Sequence, residues 1–284
     1  MQKWPKSITA IRHVRSAYND LNKEEIEGYK EFAELFDREY EALDLKAVVD
    51  GKFPSEELRR RAIELSPALE SQASDYDTDI AKGAEEQAIV TGEKLLENIE
   101  QPDVIYVSPY KRTRRTLEGL IKGCPQLAEV KTIEEDRIRE QEHGKRVAYT
   151  DWRLYFVFNP DQALLNKKST RYEYKHDQGE SLLNVRDRMR SFTSTLIREH
   201  GGQKKEPENV LLITHHLLIM AMRANIERWT REEFLEKNEN DRPPNCSVTT
   251  WQGVPTSSDR SPQGREGRLM IKHKNLVLYP GKFK

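Results

Sequence analysis

Three short β-favouring runs constrain this chain more than any other feature, because each one ends in a residue able to hold an anion. Ile8-Thr9-Ala10-Ile11 runs into Arg12-His13, then a polar turn, then charged sequence with helical spacing. Asp103-Val104-Ile105-Tyr106-Val107 runs into Ser108-Pro109-Tyr110-Lys111-Arg112, and Asn209-Val210-Leu211-Leu212-Ile213 into Thr214-His215-His216. Short apolar runs bounded by turn signals and followed by helical spacing read as buried strands of an α/β sheet. Open α/β sheets bind ligands outside the carboxyl ends of their strands. Such a fold therefore delivers Arg12, His13, Arg112 and His215 to one edge.

Composition narrows the class. The 284 residues suffice for one large α/β domain or two small ones, and 36% hydrophobic with 33% charged residues describes a chain with a real core and a heavily solvated surface. Lys+Arg 47 against Asp+Glu 48 leaves a net charge of -1, which gives no reason to expect nucleic acid or an anionic membrane as a partner. The two cysteines, Cys124 and Cys246, lie far apart without Cys-x-x-Cys spacing, so neither a zinc site nor a disulfide framework is expected. Met1-Gln2-Lys3-Trp4-Pro5-Lys6 leads into the first strand with no apolar signal region, and no run approaches the roughly 20 residues of a membrane span. The expectation is a cytoplasmic protein.

Between these strands the pattern predicts helices over 23–46, from Ser55 (a candidate N-cap), over 79–99, 109–122, 181–200, and from His215 to about Trp229. Edge strands are expected at 246–251 and 269–273, joined by a polar Pro/Ser/Gly loop. Residues 145–178 alternate aromatics with cations; this reads either as an amphipathic helix burying its rings or as an insertion facing the substrate. The expected architecture is one α/β domain over 1–284: a mainly parallel sheet flanked by helices on both faces, with helical insertions near 20–77 and 145–178. No second hydrophobic core is evident from the pattern.

At the strand ends the chain resembles the histidine phosphatase superfamily, the phosphoglycerate-mutase-like enzymes. Their motif Arg-His-Gly-Glu-Ser-x-x-Asn is met by Arg12, His13, Ser16 and Asn19, with Val14 and Arg15 in place of Gly and Glu. Ser-Pro-x-x-Arg-x-x-x-Thr is met by Ser108, Pro109, Arg112 and Thr116; an acid followed four residues later by glycine, by Glu140 and Gly144. Gly-Glu-Ser opening a helix is Gly179-Glu180-Ser181, and Ser-His-Gly after a strand appears as Thr214-His215-His216, with His216 where glycine is usual. The motifs occur in family order from residue 8 to about 251. The resemblance implies a phosphorylated small-molecule substrate and no cofactor.

The chemistry of these residues suits phosphoryl transfer, which needs positioning and fixed positive charge. Arg12 and Arg112 offer planar donor forks that stay charged, while Ser16 and Asn19 supply neutral donors. An unprotonated His13 is a competent nucleophile, and a phosphohistidine splits one displacement into two. His215 is expected as an imidazolium donor beside the transferred group. The resemblance makes Glu140 the acid that protonates the leaving oxygen, with Glu142 and Asp136 as sequence neighbours able to compete. His143, His176, His200 and His273 read as structural, and His216 as either pocket lining or packing. A metal site would want a pattern such as His-Glu-x-x-His, and a nucleotide site a glycine-rich loop; neither occurs. The expectation is thus a metal-independent phosphomonoester hydrolase, with a phosphomutase or a silent phospho-ligand-binding protein as alternatives.

Overall fold

A computed structural model describes residues 4–20, 22–71, 73–202, 206–254 and 269–279. In chain order the elements are β1 (Ser7–Arg12), α1 (Tyr29–Glu41), α2 (Leu45–Val49), α3 (Glu56–Leu69), α4 (Glu85–Asn98), β2 (Val104–Val107), α5 (Lys111–Gly123), β3 (Lys131–Glu134), α6 (Trp152–Phe158), α7 (Pro160–Lys168), α8 (Leu182–His200), β4 (Asn209–Thr214), α9 (His216–Glu227), α10 (Arg231–Asn240), β5 (Val248–Gly253) and β6 (Leu269–Leu276), with short 3-10 turns between some of them. The strands form one sheet in the order β3-β2-β4-β1-β5-β6. The first four are mutually parallel; β5 and β6 are antiparallel.

The apolar runs form the inner strands because both faces of the sheet are covered. Ile11, Ile105, Val107, Leu211, Ile213 and Val248 alternate onto one face, where they meet Ala88 and Leu95 of α4 and Leu117 and Leu120 of α5. The intervening residues Ile8, Ala10, Val210 and Leu212 are equally buried. On that second face Tyr106 meets Phe192 of α8 edge-on at 5.3 Å. Each fully buried side chain of this size is worth about 1.5–3 kcal/mol of transfer free energy. Close backbone approach lets α4 sit against α5: a Cβ on Gly92 would lie 2.4 Å from the Leu120 carbonyl oxygen.

Some expectations are corrected. The helix predicted over 79–99 begins only at Glu85, because 79–81 pairs with 15–17 instead: Ala17 N donates to Asp79 O and Ala81 N to Arg15 O. The helical stretch 23–46 breaks at Gly28, whose φ of 78° starts α1 afresh. The strand near 246–251 is no edge; β5 lies between β1 and β6, and the opposite edge is β3, a mostly exposed strand that carries no apolar signal. The Pro/Ser/Gly loop between them lies outside the described residues. The Ser55 cap is present, its side chain accepting from Leu58 N at 3.1 Å.

The chain divides into two compact units: Met1–Asn19 with Tyr76–Glu140 and Asn184–Lys284, which holds the sheet, and Asp20–Asp75 with Gln141–Leu183. The second unit comprises the two predicted insertions, and it does have a hydrophobic core of its own. Phe32 and Phe36 of α1, Leu58 and Leu69 of α3, and Leu154 and Phe156 of α6 are buried together. Two stretches more than sixty residues apart thus complete one cluster, which neither stretch discloses alone. Most rings of 145–178, Tyr149, Trp152, Tyr155, Phe156, Phe158 and Tyr174, go into this core, as the amphipathic reading expects. Several of their polar partners cap it: Asp151, the N-cap of α6, accepts from Tyr29 Oη at 2.7 Å and Lys23 Nζ at 3.1 Å.

Candidate active site

Register brings the site together. Arg12 pairs with Thr214, and Val107 with Ile213, so three strands end level. The residue after each strand is then held across it: His13 N donates to Thr214 O at 2.9 Å and Ser108 N to Ile213 O at 3.0 Å. The His13 and His215 rings meet edge-on, centroids 5.2 Å apart. Helices α5 and α9 both begin at this edge, which adds the positive ends of two helix dipoles.

His13 is buried, and its Nδ1 lies 2.6 Å from the Val14 carbonyl. A carbonyl only accepts, so Nδ1 carries the proton and Nε2 keeps the lone pair. Burial, then the charges of Arg112 and Arg12, hold His13 well below its ordinary 6.5. It is therefore neutral at neutral pH, the form the sequence reading requires. The Val14 N–H is taken by Thr116 Oγ1 at 3.1 Å and the His13 carbonyl accepts from Asn245 Nδ2 at the same distance, fixing the backbone on both sides.

His215 is fully buried, with Nε2 2.8 Å from Ser108 Oγ and an Nδ1 that makes no hydrogen bond. Burial first, then Arg112, His13, Arg12 and Arg188, hold His215 well below 6.5, so the surroundings of this ring favour the neutral imidazole.

Arg12 spends Nη1 on the Pro243 carbonyl at 2.7 Å, while its buried Nε makes no hydrogen bond. Burial lowers its pKa, and Glu140 opposes that as the largest influence favouring the charged form. Glu140 thus acts on Arg12 through its charge. Arg112 is buried, its guanidinium 4.8 Å from the Tyr110 ring centroid, and that ring meets His215 edge-on at 5.1 Å. Ser16 is buried in the same loop and bridged to Ile80. Asn19 falls in a 3-10 turn, and its side chain lies outside the described ones. His216 lies beside Arg12: burial, Arg12 and Arg242 push it down to about 3.

Sequence reasoning missed the supports. Arg188 of α8 donates to the carbonyls of Arg137, Arg139 and Glu140, and Thr214 Oγ1 to that of Ile138 at 2.7 Å. The one available signal was a cation interrupting the inward stripe Val185, Met189, Phe192. Of the histidines read as structural, His200 binds Tyr106 Oη at 2.8 Å and His273 the Asn98 carbonyl at 3.1 Å, while His176 meets Tyr155 and Tyr174 edge-on and Phe156 at a tilt. Among the described residues no three His, Cys, Asp or Glu cluster as metal ligands would, and no helix is long and apolar enough to cross a membrane.

Residues 66–254 match the model of the histidine phosphatase superfamily, branch 1. The chain belongs to that superfamily. Over 143 residues it is 30% identical to a phosphoglycerate mutase-like protein of Arabidopsis thaliana, an alignment covering 47% of each chain. Over 179 residues it is 27% identical to a broad-range acid phosphatase of Saccharomyces cerevisiae, covering 46% of this chain and 54% of that one. The chain thus spans about half the length of these curated relatives. Among solved structures, a mycobacterial glucosyl-3-phosphoglycerate phosphatase complexed with VO3 aligns at TM-score 0.57 and 17% identity, covering 95% of this chain and 99% of that one. The structure titled mycobacterial hydrolase 1 aligns at TM-score 0.59, also at 17% identity, covering 96% and 99%. At such identity the likeness is one of fold. The matched stretch begins after Arg12 and His13; the parallel pairing of β1 with β4 is what brings these two residues level with Thr214 and His215.

Proposed function

We propose that the chain hydrolyses phosphomonoesters of small molecules through a phospho-His13 intermediate, without a metal ion. The observation that carries this reading is the His13 tautomer: the Val14 carbonyl takes Nδ1–H, leaving Nε2 as a lone pair among Arg12, Arg112 and His215. Nε2 attacks phosphorus as the P–O ester bond breaks, and the leaving oxygen takes the proton of Glu140. Water then attacks phosphorus, giving a proton to the Glu140 carboxylate, while the P–N bond breaks and its electron pair returns to Nε2. Inorganic phosphate leaves and His13 is restored. Throughout, Arg12 and Arg112 neutralise the phosphoryl oxygens and His215 donates a hydrogen bond through Nδ1.

Brief incubation with a labelled phosphoester tests this. An acid-labile, alkali-stable phosphoenzyme should form, and His13→Ala should abolish it. Turnover should survive a chelator and be blocked by vanadate, which mimics the transferring group. Full hydrolysis by His13→Ala rejects the mechanism; ligand binding with no label in the native enzyme points to a silent binding protein. A positional isomer formed in excess of free phosphate points to a mutase.

A further inference from the structure

Residues 137–140 have no regular structure beyond a single 3-10 turn, yet all four of their carbonyls are held. Nη1 of Arg188 donates to Arg137 O at 2.8 Å and Arg139 O at 2.9 Å, and Nη2 to Glu140 O at 3.3 Å. Thr214 Oγ1, one residue before His215, takes the remaining carbonyl of Ile138. Two of these bonds matter most. The Arg139 carbonyl belongs to the peptide plane that precedes the Glu140 Cα, and the Glu140 carbonyl to the plane that follows it. With both planes tied to one rigid guanidinium, the Cα–Cβ vector of Glu140 has no soft backbone torsion left to turn on. The guanidinium sits on α8, a nineteen-residue helix whose neighbouring positions Val185, Met189 and Phe192 are buried to within 1%. The loop is thereby referenced to the sheet rather than to its own weak local structure.

We propose that Arg188 is a positioning residue for Glu140: it holds the acid's backbone so that the carboxyl meets the leaving oxygen, and its own head touches no substrate. This rests on the reading of Glu140 as the proton donor. Arginine suits the task because a single planar fork serves three acceptors, which a lysine ammonium cannot reproduce in the same geometry. A displacement of about 1 Å at a catalytic group can cost on the order of a hundredfold in rate. A positioning effect of this kind falls only on the step that needs the acid. An alkyl phosphate needs its leaving oxygen protonated, whereas nitrophenolate departs unaided.

The test is single-turnover phosphorylation of His13 by an alkyl phosphate and by nitrophenyl phosphate. It compares the native enzyme, Glu140→Gln, Arg188→Met, Arg188→Lys and the double variant Arg188→Met/Glu140→Gln. Arg188→Met should slow the alkyl ester by roughly 10–100-fold while leaving the nitrophenyl ester nearly unchanged. Arg188→Lys, which keeps the charge felt by His215, should recover only part of that loss. The double variant should be no slower on the alkyl ester than Glu140→Gln alone. Equal slowing of both esters by Arg188→Met, or losses that multiply in the double variant, would overturn the proposal. Failure of the underlying reading looks different: Glu140→Gln itself would then treat both esters alike. In that case amide hydrogen exchange over 137–141 decides whether Arg188 holds the loop. Faster exchange there in Arg188→Met, with strand amides unaffected, supports the clamp; unchanged exchange overturns it.

Discussion

Nε2 of His215 and Oγ of Ser108 face each other at 2.8 Å, both side chains wholly removed from solvent. The Tyr110 N–H donates to the same oxygen at 3.5 Å, and a hydroxyl proton turned toward the imidazole makes Nε2 the acceptor. A neutral imidazole that accepts at Nε2 must donate at Nδ1, and Nδ1 is the buried atom that makes no hydrogen bond. In the proposed reaction Ser108 would then set which nitrogen of His215 faces a phosphoryl oxygen.

Ser108→Ala should leave Nε2 buried and unsatisfied, at a cost of about 1–3 kcal/mol in stability. It should also populate both tautomers and lower turnover on the order of tenfold or more, because the wrong tautomer presents a lone pair to an anion. Nitrogen chemical shifts of His215 report the tautomer directly. A pure Nδ1–H tautomer in Ser108→Ala would show that another group sets it.

Four histidines make stability depend on mild acid. Burial and neighbouring arginines hold His13 and His215 well below 6.5 and push His216 down to about 3; burial, Arg146 and His143 take His176 to about 4. Below about pH 6.5 the unfolded chain binds protons at these positions and the folded chain does not. Their contribution is therefore complete above that pH and is lost as pH falls toward the folded values. Each adds a slope of up to about 1.4 kcal/mol per pH unit in that window. Urea unfolding at pH 7.5, 6 and 5 should show the decline, and His216→Asn should remove one such increment. A pH-independent midpoint between 7.5 and 5 would contradict these burials.

Much of this was legible in the sequence, and the limit is physical. Strands β1, β2 and β4 are readable because burial on both faces demands continuous apolar runs, and the site residues because they follow those runs directly. Strand β3 was not, since an edge strand with exposed Lys131, Thr132 and Glu134 needs no apolar signature. The core of the second unit escaped because its halves come from distant segments. Arg188 and Ser108 escaped as functional groups for a related reason: one acts on carbonyls 48 to 51 residues away, the other on a ring 107 residues away. Such pairings are set by sheet register and helix packing, not by local spacing. The downward pull on His215 was not legible either, because a sequence shows neither how deeply a ring is buried nor how close its cations come.

The glycine four residues after Glu140 has a conformational reason to be glycine. Gly144 has φ of 54°, and a Cβ there would lie 2.0 Å from the Asp177 carbonyl oxygen and 2.6 Å from Gly179 N. Two of the motifs matched by resemblance therefore touch through their backbones, and Glu142 N donating to the Glu180 carboxylate at 3.0 Å joins them further. Gly144→Ala should destabilise by roughly 3 kcal/mol or more, since both torsion and space are wrong for a side chain. A melting temperature within a degree of the native one would refute this account.

Arg112 does two jobs that substitution can separate. After burial it is the largest influence depressing both His13 and His215, and in the proposed reaction its guanidinium would also present a planar fork to phosphoryl oxygens. Arg112→Gln removes charge and fork together. His13 should then bind a proton more readily, and a protonated imidazole is no nucleophile. The acidic limb of kcat/KM should accordingly move to higher pH, with vanadate affinity falling as well. Arg112→Lys keeps the charge but not the fork, so the acidic limb should stay near its native position while kcat/KM drops at every pH. The two profiles, measured side by side, distinguish field from geometry. If Arg112→Gln left the acidic limb in place, His13 would owe its neutrality to burial alone. A limb moved to lower pH in Arg112→Gln would mean that the group titrating there is neither His13 nor His215, since Arg112 depresses both.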